Sequence, residues 1–147
     1  MLHFVSGNLF DGHYDAIVNP VNCVGVMGKG LALEFKNRYP ANFVHYKDAC
    51  AKRQLKAGGI LVFEENGQTI INAATKYHWR NPSERTWVDA NCRNIAEWCV
   101  ANPDIRSVAI PKLGCGLGGL EWLDVRKIVK HHLSACPQNI YVFGEDR

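Results

Sequence analysis

The sequence lacks the features of a membrane protein or an exported protein. No apolar run in its 147 residues approaches the roughly 18 residues that a membrane-spanning helix needs. Residues 1–7 have neither the basic region nor the longer hydrophobic stretch of a secretory signal. We therefore predict a protein of the cytoplasm that makes no membrane contact.

The sequence also lacks a strong charge bias and paired cysteines. Its 17 Lys and Arg residues against 14 Asp and Glu residues give a net charge of +3. This small excess excludes a histone-like protein and allows a phosphate-bearing ligand without requiring one. The six cysteines form no CxxC pair, and no Cys/His spacing fits a zinc site. We predict free, buried thiols in a reducing compartment, and no metal site.

Internal repeats, low-complexity segments and linkers are absent as well. A chain of this length buries roughly two thirds of its unfolded surface, which is enough for one hydrophobic core but not for two. Residues 1–147 are therefore predicted to form a single domain.

Predicted strands and helices alternate along the chain. Strands are predicted at residues 2–5, 16–19, 60–63, 69–72, 107–110 and 140–143, and helices at 31–36, 40–56, 83–101 and 121–133. Asn66-Gly67 between two β-rich runs predicts an antiparallel hairpin. The alternation predicts an α/β fold, a three-layer α/β/α domain with a mixed central sheet.

The third predicted helix has a clear apolar face. Val88, Cys92, Ile95 and Cys99 follow one another at steps of four, three and four residues. Ser83 precedes this pattern and is of the residue type that caps helix N-termini, so we expect it to cap this helix.

Two glycine-rich loops each lead from a predicted strand into a helix. Residues 114–119 read GCGLGG and contain the G-x-G-x-x-G motif. Glycines let the main chain approach a diphosphate, and a helix start favours its negative charge. A dinucleotide-dependent dehydrogenase is excluded, because only 28 residues follow Gly119 and no second nucleotide-binding half can form. A tight turn without a ligand is the alternative.

The other glycine loop spans residues 25–30. Both loops follow strands of one predicted sheet, so they could converge on a ligand with two phosphates. The loop is not a Walker A motif, because Cys23 stands five residues before Gly28 and Gly30 replaces the required Ser or Thr. The residues alone favour a solvent-facing position for Lys29 over phosphate contact.

Four sequence blocks carry a resemblance that spans nearly the whole chain. They are residues 7–9 (GNL), 18–22 (VNPVN), 24–35 (VGVMGKGLALEF) and 110–122 (IPKLGCGLGGLEW). Together they resemble a macrodomain. Within that family the resemblance is closest to the branch that holds the DNA ADP-ribosyl glycohydrolase antitoxins of DarG type and the terminal ADP-ribose protein glycohydrolase.

The resemblance implies a cleft for ADP-ribose. Asn8 and Leu9 would lie at its adenine end and Asn22 near the distal ribose, although Asn is also a residue type that caps loops. Many macrodomains have Asp where this chain has Asn8, so the adenine contact would lack charge assistance. The residues implied around the diphosphate and the distal ribose are Gly28, Lys29, Gly30, Gly114, Cys115, Gly116, Leu117, Gly118 and Gly119.

The resemblance also implies a catalytic residue. In this branch a Thr-Lys pair after the fourth strand supplies the lysine required to release ADP-ribose, which assigns that role to Lys76. Its amine could attack the anomeric carbon, or its ammonium could polarise the leaving group. The protein-glutamate glycohydrolase has an acidic residue where this chain has Gly118, so the chain resembles the DNA-directed antitoxins more closely. Glu121, Asp124 and His78 are candidate proton donors, and none is favoured.

A basic, aromatic cluster follows Lys76 and consists of His78, Trp79, Arg80 and Arg85, of which the first three are the candidate nucleic-acid contacts. Such a composition is expected of a surface that stacks a base and meets phosphates, and packing with solvation is the alternative. The implied function is a hydrolase of an N-glycosyl bond that removes ADP-ribose from nucleic acid, with a base in single-stranded DNA as the leading substrate. No cofactor is implied. The implied partners are ADP-ribose, ADP-ribosylated DNA and a cognate ADP-ribosyltransferase toxin.

Two alternatives remain open from the sequence. The same fold could remove ADP-ribose from acidic protein side chains, or act on small ADP-ribose esters and phosphates. It could also be a non-catalytic ADP-ribose binding module in which Lys76 has no chemical role.

Overall fold

A computed structural model describes residues 1–146. Within this range the chain forms six strands and four α-helices: β1 (Leu2–Phe4), β2 (Ala16–Val21), α1 (Gly30–Arg38), α2 (Pro40–Ala51), β3 (Ile60–Glu65), β4 (Gln68–Ala74), α3 (Arg85–Ala101), β5 (Ser107–Ile110), α4 (Trp122–Leu133) and β6 (Asn139–Val142). Short 3-10 turns lie at Leu9–Asp11 and Gly116–Gly118. The alternation that the sequence predicts is confirmed.

The strands form one mixed sheet in the order β1-β6-β5-β2-β4-β3. Four neighbouring pairs are parallel, and β3 pairs with β4 in the antiparallel direction. Asn66 and Gly67 connect β3 to β4 with φ angles of 52° and 80°, as a tight hairpin turn requires. The predicted hairpin is therefore confirmed, and the parallel strands direct their carboxyl ends to one edge of the sheet.

Helices cover both faces of the sheet. On one face, Val88, Cys92, Ile95 and Cys99 of α3 are fully buried in the same cluster as the apolar side chains of α4. On the other face, Phe35 of α1 and Tyr46 of α2 are fully buried against the sheet. This arrangement confirms the three-layer α/β/α fold.

Every predicted element end lies within two residues of the observed end except that of α2, and the ends of β2 and α2 have a physical explanation. Strand β2 continues through Pro20 to Val21, because its pairing with β4 extends as far as Val21 and Ala74. Pro20 lies beyond Ala16 and Ile17, which pair with β5, so its missing N–H breaks no hydrogen bond with that strand. Helix α2 ends at Ala51 rather than at residue 56, because Arg53 takes a left-handed conformation with φ of 55° and turns the chain so that Leu55 is buried.

The predicted capping role of Ser83 is wrong. Helix α3 begins at Arg85 with Glu84 at its N-cap and no side-chain cap. Instead, the main-chain N–H of Ser83 donates to the oxygen of Gly118 at 2.9 Å, and its buried hydroxyl has no hydrogen-bond partner among residues 1–146. Ser83 therefore packs beneath the second glycine loop, and this contact rather than helix capping determines the conformation of Ser83.

All six cysteines are free thiols, and four of them are buried. No helix within residues 1–146 is long and apolar enough to cross a membrane.

Candidate functional site

A cavity of about 750 Å³ opens where the carboxyl ends of β5, β2 and β4 meet. Ligands of α/β proteins bind at this edge, since the loops that follow parallel strands converge there. Both glycine loops line the cavity, as their predicted convergence requires. The predicted site residues that line it are Asn22, Gly28, Lys29, Gly30, Lys76, Trp79, Arg80, Gly114, Cys115, Gly116, Leu117 and Gly118.

Four of the predicted residues do not line this cavity. Asn8 is exposed and caps a 3-10 turn, with its side-chain oxygen accepting from the N–H of Phe10 at 2.9 Å. Leu9 is buried in the core, Gly119 closes the 3-10 turn of the second glycine loop with φ of 79°, and His78 lies beside the cavity next to Trp79. The adenine-end role of Asn8 and Leu9 stays a prediction.

Asn22 organises the first glycine loop. Its Oδ1 accepts from the N–H of Val24 at 3.0 Å and from the Tyr46 hydroxyl at 2.7 Å, and its Nδ2 donates to the oxygen of Val26 at 2.8 Å. Burial raises the pKa of Tyr46, so its hydroxyl stays protonated. The loop-capping role left open by the sequence is therefore present. The amide nitrogen carries two hydrogens, so one remains for a ligand.

The second glycine loop needs glycine for steric reasons. Gly114 has φ of 73°, and a Cβ there would meet Leu120 at 2.7 Å and Val88 at 2.9 Å. A Cβ at Gly118 would meet the Ser83 hydroxyl at 2.5 Å. The structure thus has no room for an acidic side chain at position 118 beside Ser83, and the main chain is left open to the cavity.

Lys76 lies at the end of β4, between that strand and the second glycine loop. Its neighbour Thr75 is buried and donates its N–H to the oxygen of Val21 at 3.0 Å, which extends the pairing with β2. The half-buried Lys76 side chain donates from Nζ to the oxygen of Leu117 at 3.4 Å. Burial lowers the pKa of Lys76.

The cavity is cationic. Lys29, Lys76, Arg80 and Lys112 are among its lining residues, and within the described chain no Asp or Glu lines it. Lys112 also pairs with Glu145 at 2.9 Å. A cavity of this charge favours an anionic ligand. The candidate proton donors Glu121, Asp124 and His78 are not among its lining residues.

Lys112 is a lining residue that the sequence analysis did not select. It lies two residues after β5 in the IPKLGCGLGGLEW block, and this position next to a glycine loop could have indicated that it lines the site. Seven further lining residues were also not selected, and all flank the strand ends or the glycine loops: Pro20, Val21, Val26, Leu31, Ala32, Thr75 and Pro111.

His78, Trp79 and Arg80 form an ordered group beside Lys76. The His78 and Trp79 rings stack with centroids 5.2 Å apart, and the Arg80 guanidinium lies 4.6 Å from the Trp79 ring centroid. His78 Nδ1 accepts from the N–H of Arg80 at 3.1 Å. These contacts hold the exposed indole in place.

The thiols near the site are poor nucleophiles. Cys115 lines the cavity, and Cys23 contacts the oxygen of Lys76 at 3.5 Å. Burial raises the pKa of each thiol to about 11. Because the thiolate is the reactive form, catalysis by either cysteine at neutral pH is disfavoured.

Comparison with known proteins identifies the family. The family model described as Macro domain matches residues 18–129. A DNA ADP-ribosyl glycohydrolase of Thermus aquaticus is 41% identical over 140 residues, covering 92% of this chain and 38% of that protein. A DNA ADP-ribosyl transferase-DNA ADP-ribosyl glycohydrolase fusion protein of Thermosipho africanus is 34% identical over 170 residues, covering 99% of this chain and 43% of that protein. The chain thus spans less than half the length of these relatives.

Solved structures agree with this assignment. The macrodomain of Thermus aquaticus DarG superposes with a TM-score of 0.91 at 38% identity, covering 99% of both chains. Thermosipho africanus DarTG in complex with ADP-ribose superposes with a TM-score of 0.85 at 36% identity, covering 99% of this chain and 42% of that one. By sequence, by fold and by the two glycine loops at the strand ends, the chain belongs to the Macro domain family.

Proposed function

We propose that this chain is an ADP-ribosyl glycohydrolase that releases ADP-ribose from a base in single-stranded DNA. The observation that carries the proposal is the position of Lys76, whose amine lies beside the second glycine loop of a cationic cavity. The Thermus and Thermosipho relatives are named as DNA ADP-ribosyl glycohydrolases in whole or in part, which supports the substrate class.

The cavity suits the diphosphate of ADP-ribose. In our proposal the diphosphate lies between residues 28–30 and 114–118, where main-chain amides of both loops can approach it. The first loop leads directly into α1, whose N-terminus favours negative charge. The adenine would extend toward Asn8 and Leu9, and the distal ribose toward Asn22 and Lys76.

The reaction breaks the bond between the anomeric carbon and the base nitrogen. The anomeric carbon receives the hydroxyl of water and the base nitrogen receives the proton, which yields ADP-ribose and the unmodified base. Lys76 can serve it in two ways. Its neutral amine, favoured by the lowered pKa, can attack the anomeric carbon and break the bond to the base, which takes up the proton that the amine loses. Water then adds to the anomeric carbon and displaces the lysine, which frees ADP-ribose and restores the amine. Alternatively, its ammonium can stabilise the departing base through a charge-assisted hydrogen bond. Since no carboxylate among the described residues lines the cavity, the paired-carboxylate route of sugar hydrolases has no support here.

We further propose that the chain acts in the cytoplasm and opposes an ADP-ribosyltransferase toxin. Six free thiols suit a reducing compartment. The Thermosipho relative is a fusion of a DNA ADP-ribosyl transferase with a DNA ADP-ribosyl glycohydrolase, which supports a transferase as the partner.

The test compares two modified substrates under identical conditions. One is an oligonucleotide ADP-ribosylated on a thymine, and the other is a protein ADP-ribosylated on glutamate. Free ADP-ribose is quantified by mass spectrometry, and calorimetry measures ADP-ribose binding. We expect release from the oligonucleotide and little from the protein. Release from the protein alone would instead assign the chain to acidic side chains. Binding without release from either substrate would make it a non-catalytic ADP-ribose module.

A further inference from the structure

Three of the apolar side chains that line the cavity are exposed. They are Val26, Trp79 and Leu117, with 38%, 45% and 71% of their surface exposed. They come from the first glycine loop, the segment after β4 and the second glycine loop. Single exposed apolar residues are normal on a protein surface, whereas a group around a cavity indicates contact with a ligand.

The Trp79 indole contacts two neighbouring side chains and is still partly exposed. Arg80 lies against the indole and His78 stacks with it, and these two residues are joined by the hydrogen bond between the Arg80 N–H and His78 Nδ1. The result is a partly exposed aromatic surface with a positive charge beside it. This combination suits stacking of a base together with contact to its phosphate.

The cationic lining of the cavity is only partly neutralised by acidic side chains of residues 1–146. Within residues 1–146, neither Lys29 nor Arg80 forms an ion pair, whereas Lys112 pairs with Glu145 and Arg85 lies 3.8 Å from Asp124. Both Lys29 and Arg80 are exposed. The diphosphate of one ADP-ribose would meet only part of the cationic lining, so charge remains to bind further phosphates.

We propose that Trp79, Arg80 and Leu117 form a strand-binding surface that holds the nucleotide next to the modified one. The neighbouring base stacks on the exposed part of the Trp79 indole, its phosphate pairs with Arg80, and Leu117 supplies apolar contact. This inference rests on the proposed function, because it extends the DNA substrate beyond its ADP-ribose. A base within a duplex is already stacked on both sides, so the surface selects single strands.

The experiment compares substrates that differ only in the flanking strand. One is ADP-ribosylated thymidine, and the other is an oligonucleotide of about 12 nucleotides with the same modified base. The readout is the ratio of kcat/KM for the oligonucleotide to kcat/KM for the nucleoside. We expect wild type to prefer the oligonucleotide. Trp79→Ala should lower that ratio roughly 5- to 150-fold, mainly through KM, because base stacking contributes about 1–3 kcal/mol.

Two variants make the result specific. Trp79→Phe retains an aromatic ring and should restore much of the preference. Leu123→Ala removes another exposed apolar side chain, outside the cavity lining, and should leave the ratio at the wild-type value. An equal loss on both substrates in Trp79→Ala would contradict the proposal, as would a wild type with no preference for the longer substrate.

A binding measurement separates this inference from the proposed function. Fluorescence anisotropy follows an unmodified single strand, the matching duplex and a polyglutamate peptide. Binding of the single strand that is lost in Trp79→Ala would support the strand-binding surface even if the chain released no ADP-ribose. Equal binding of the duplex or the peptide would show a surface that recognises charge alone, and would overturn the proposal.

Discussion

Lys76 Nζ lies 3.4 Å from the main-chain oxygen of Leu117, which joins the end of β4 to the second glycine loop. The same loop accepts a second contact, from the N–H of Ser83 to the oxygen of Gly118. The segment that carries Trp79 is therefore tied to the loop at both of its ends.

Gly28→Ala tests the approach of a diphosphate to the first glycine loop. Among the residues that the structure describes, a Cβ at this position would meet only Val26, at an ordinary distance of 3.5 Å, so the protein should tolerate it. We expect a change in stability within about 0.5 kcal/mol and at least a tenfold loss of ADP-ribose affinity, because the methyl group would fill the space of the phosphates. Thermal unfolding and calorimetry measure the two effects. Unchanged affinity would place the diphosphate elsewhere.

Gly118→Ala should instead disturb the protein itself. The new Cβ would lie 2.5 Å from the Ser83 hydroxyl, and overpacking of this kind costs about 1–3 kcal/mol. Ser83→Gly removes the obstructing side chain, so the double variant should recover part of the stability lost in Gly118→Ala. Denaturant unfolding of the four proteins gives the coupling between the two positions. Additive losses would mean that the two side chains do not compete for space.

The sequence predicts those helices and turns that are determined by residues close together in the chain. The four-three-four spacing of Val88, Cys92, Ile95 and Cys99 reflects one buried helix face, and Asn66-Gly67 provides the positive φ angles of the hairpin. Ser83 was misassigned as a helix cap because its position is decided by contact with a glycine loop distant in sequence. The end of α2 was misplaced for a similar reason, since burial of Leu55 is a tertiary effect.

For the site, too, the sequence predicts the residues with a local pattern and not those placed there by the fold. The glycine loops were identified because their close approach to a ligand is a property of the residue type. Lys112 was not predicted, because nothing in the neighbouring sequence distinguishes a lysine that lines a cavity from one that faces solvent. Asn22 combines both roles that its residue type allowed, since it caps its loop and also lines the cavity.

Cys115 and Cys23 provide a test of where ADP-ribose binds. Burial raises the pKa of both thiols to about 11, so iodoacetamide should react slowly at neutral pH and about tenfold faster for each unit of rising pH. Cys115 lines the cavity and Cys23 does not. We expect ADP-ribose to protect Cys115 more than Cys23, as followed by mass spectrometry at pH of about 9. Equal protection of both thiols would argue against contact at the second glycine loop.

The lowered pKa of Lys76 predicts a pH dependence of stability. The relevant pH interval lies between the lowered pKa of Lys76 in the native state and its ordinary pKa of about 10.4. In this interval the unfolded chain binds more protons at Lys76 than the native state does. Stability of wild type relative to Lys76→Met should therefore rise with pH through this interval. Urea unfolding from about pH 8 to about pH 11 measures it, with Lys127→Met as the control for loss of an exposed lysine. A difference that falls with pH would contradict the burial of the amine.

The most direct test of the proposed function measures how fast Lys76→Ala releases ADP-ribose from a modified single-stranded oligonucleotide under single-turnover conditions. We predict at least a hundredfold slower release, with the ADP-ribose Kd within about threefold of wild type, because the lysine acts in the reaction rather than in binding. The exposed lysine variant Lys127→Ala should match wild type in both measurements. Release by Lys76→Ala at the wild-type rate, or a loss of rate that equals its loss of affinity, would contradict the role of Lys76 in the chemistry.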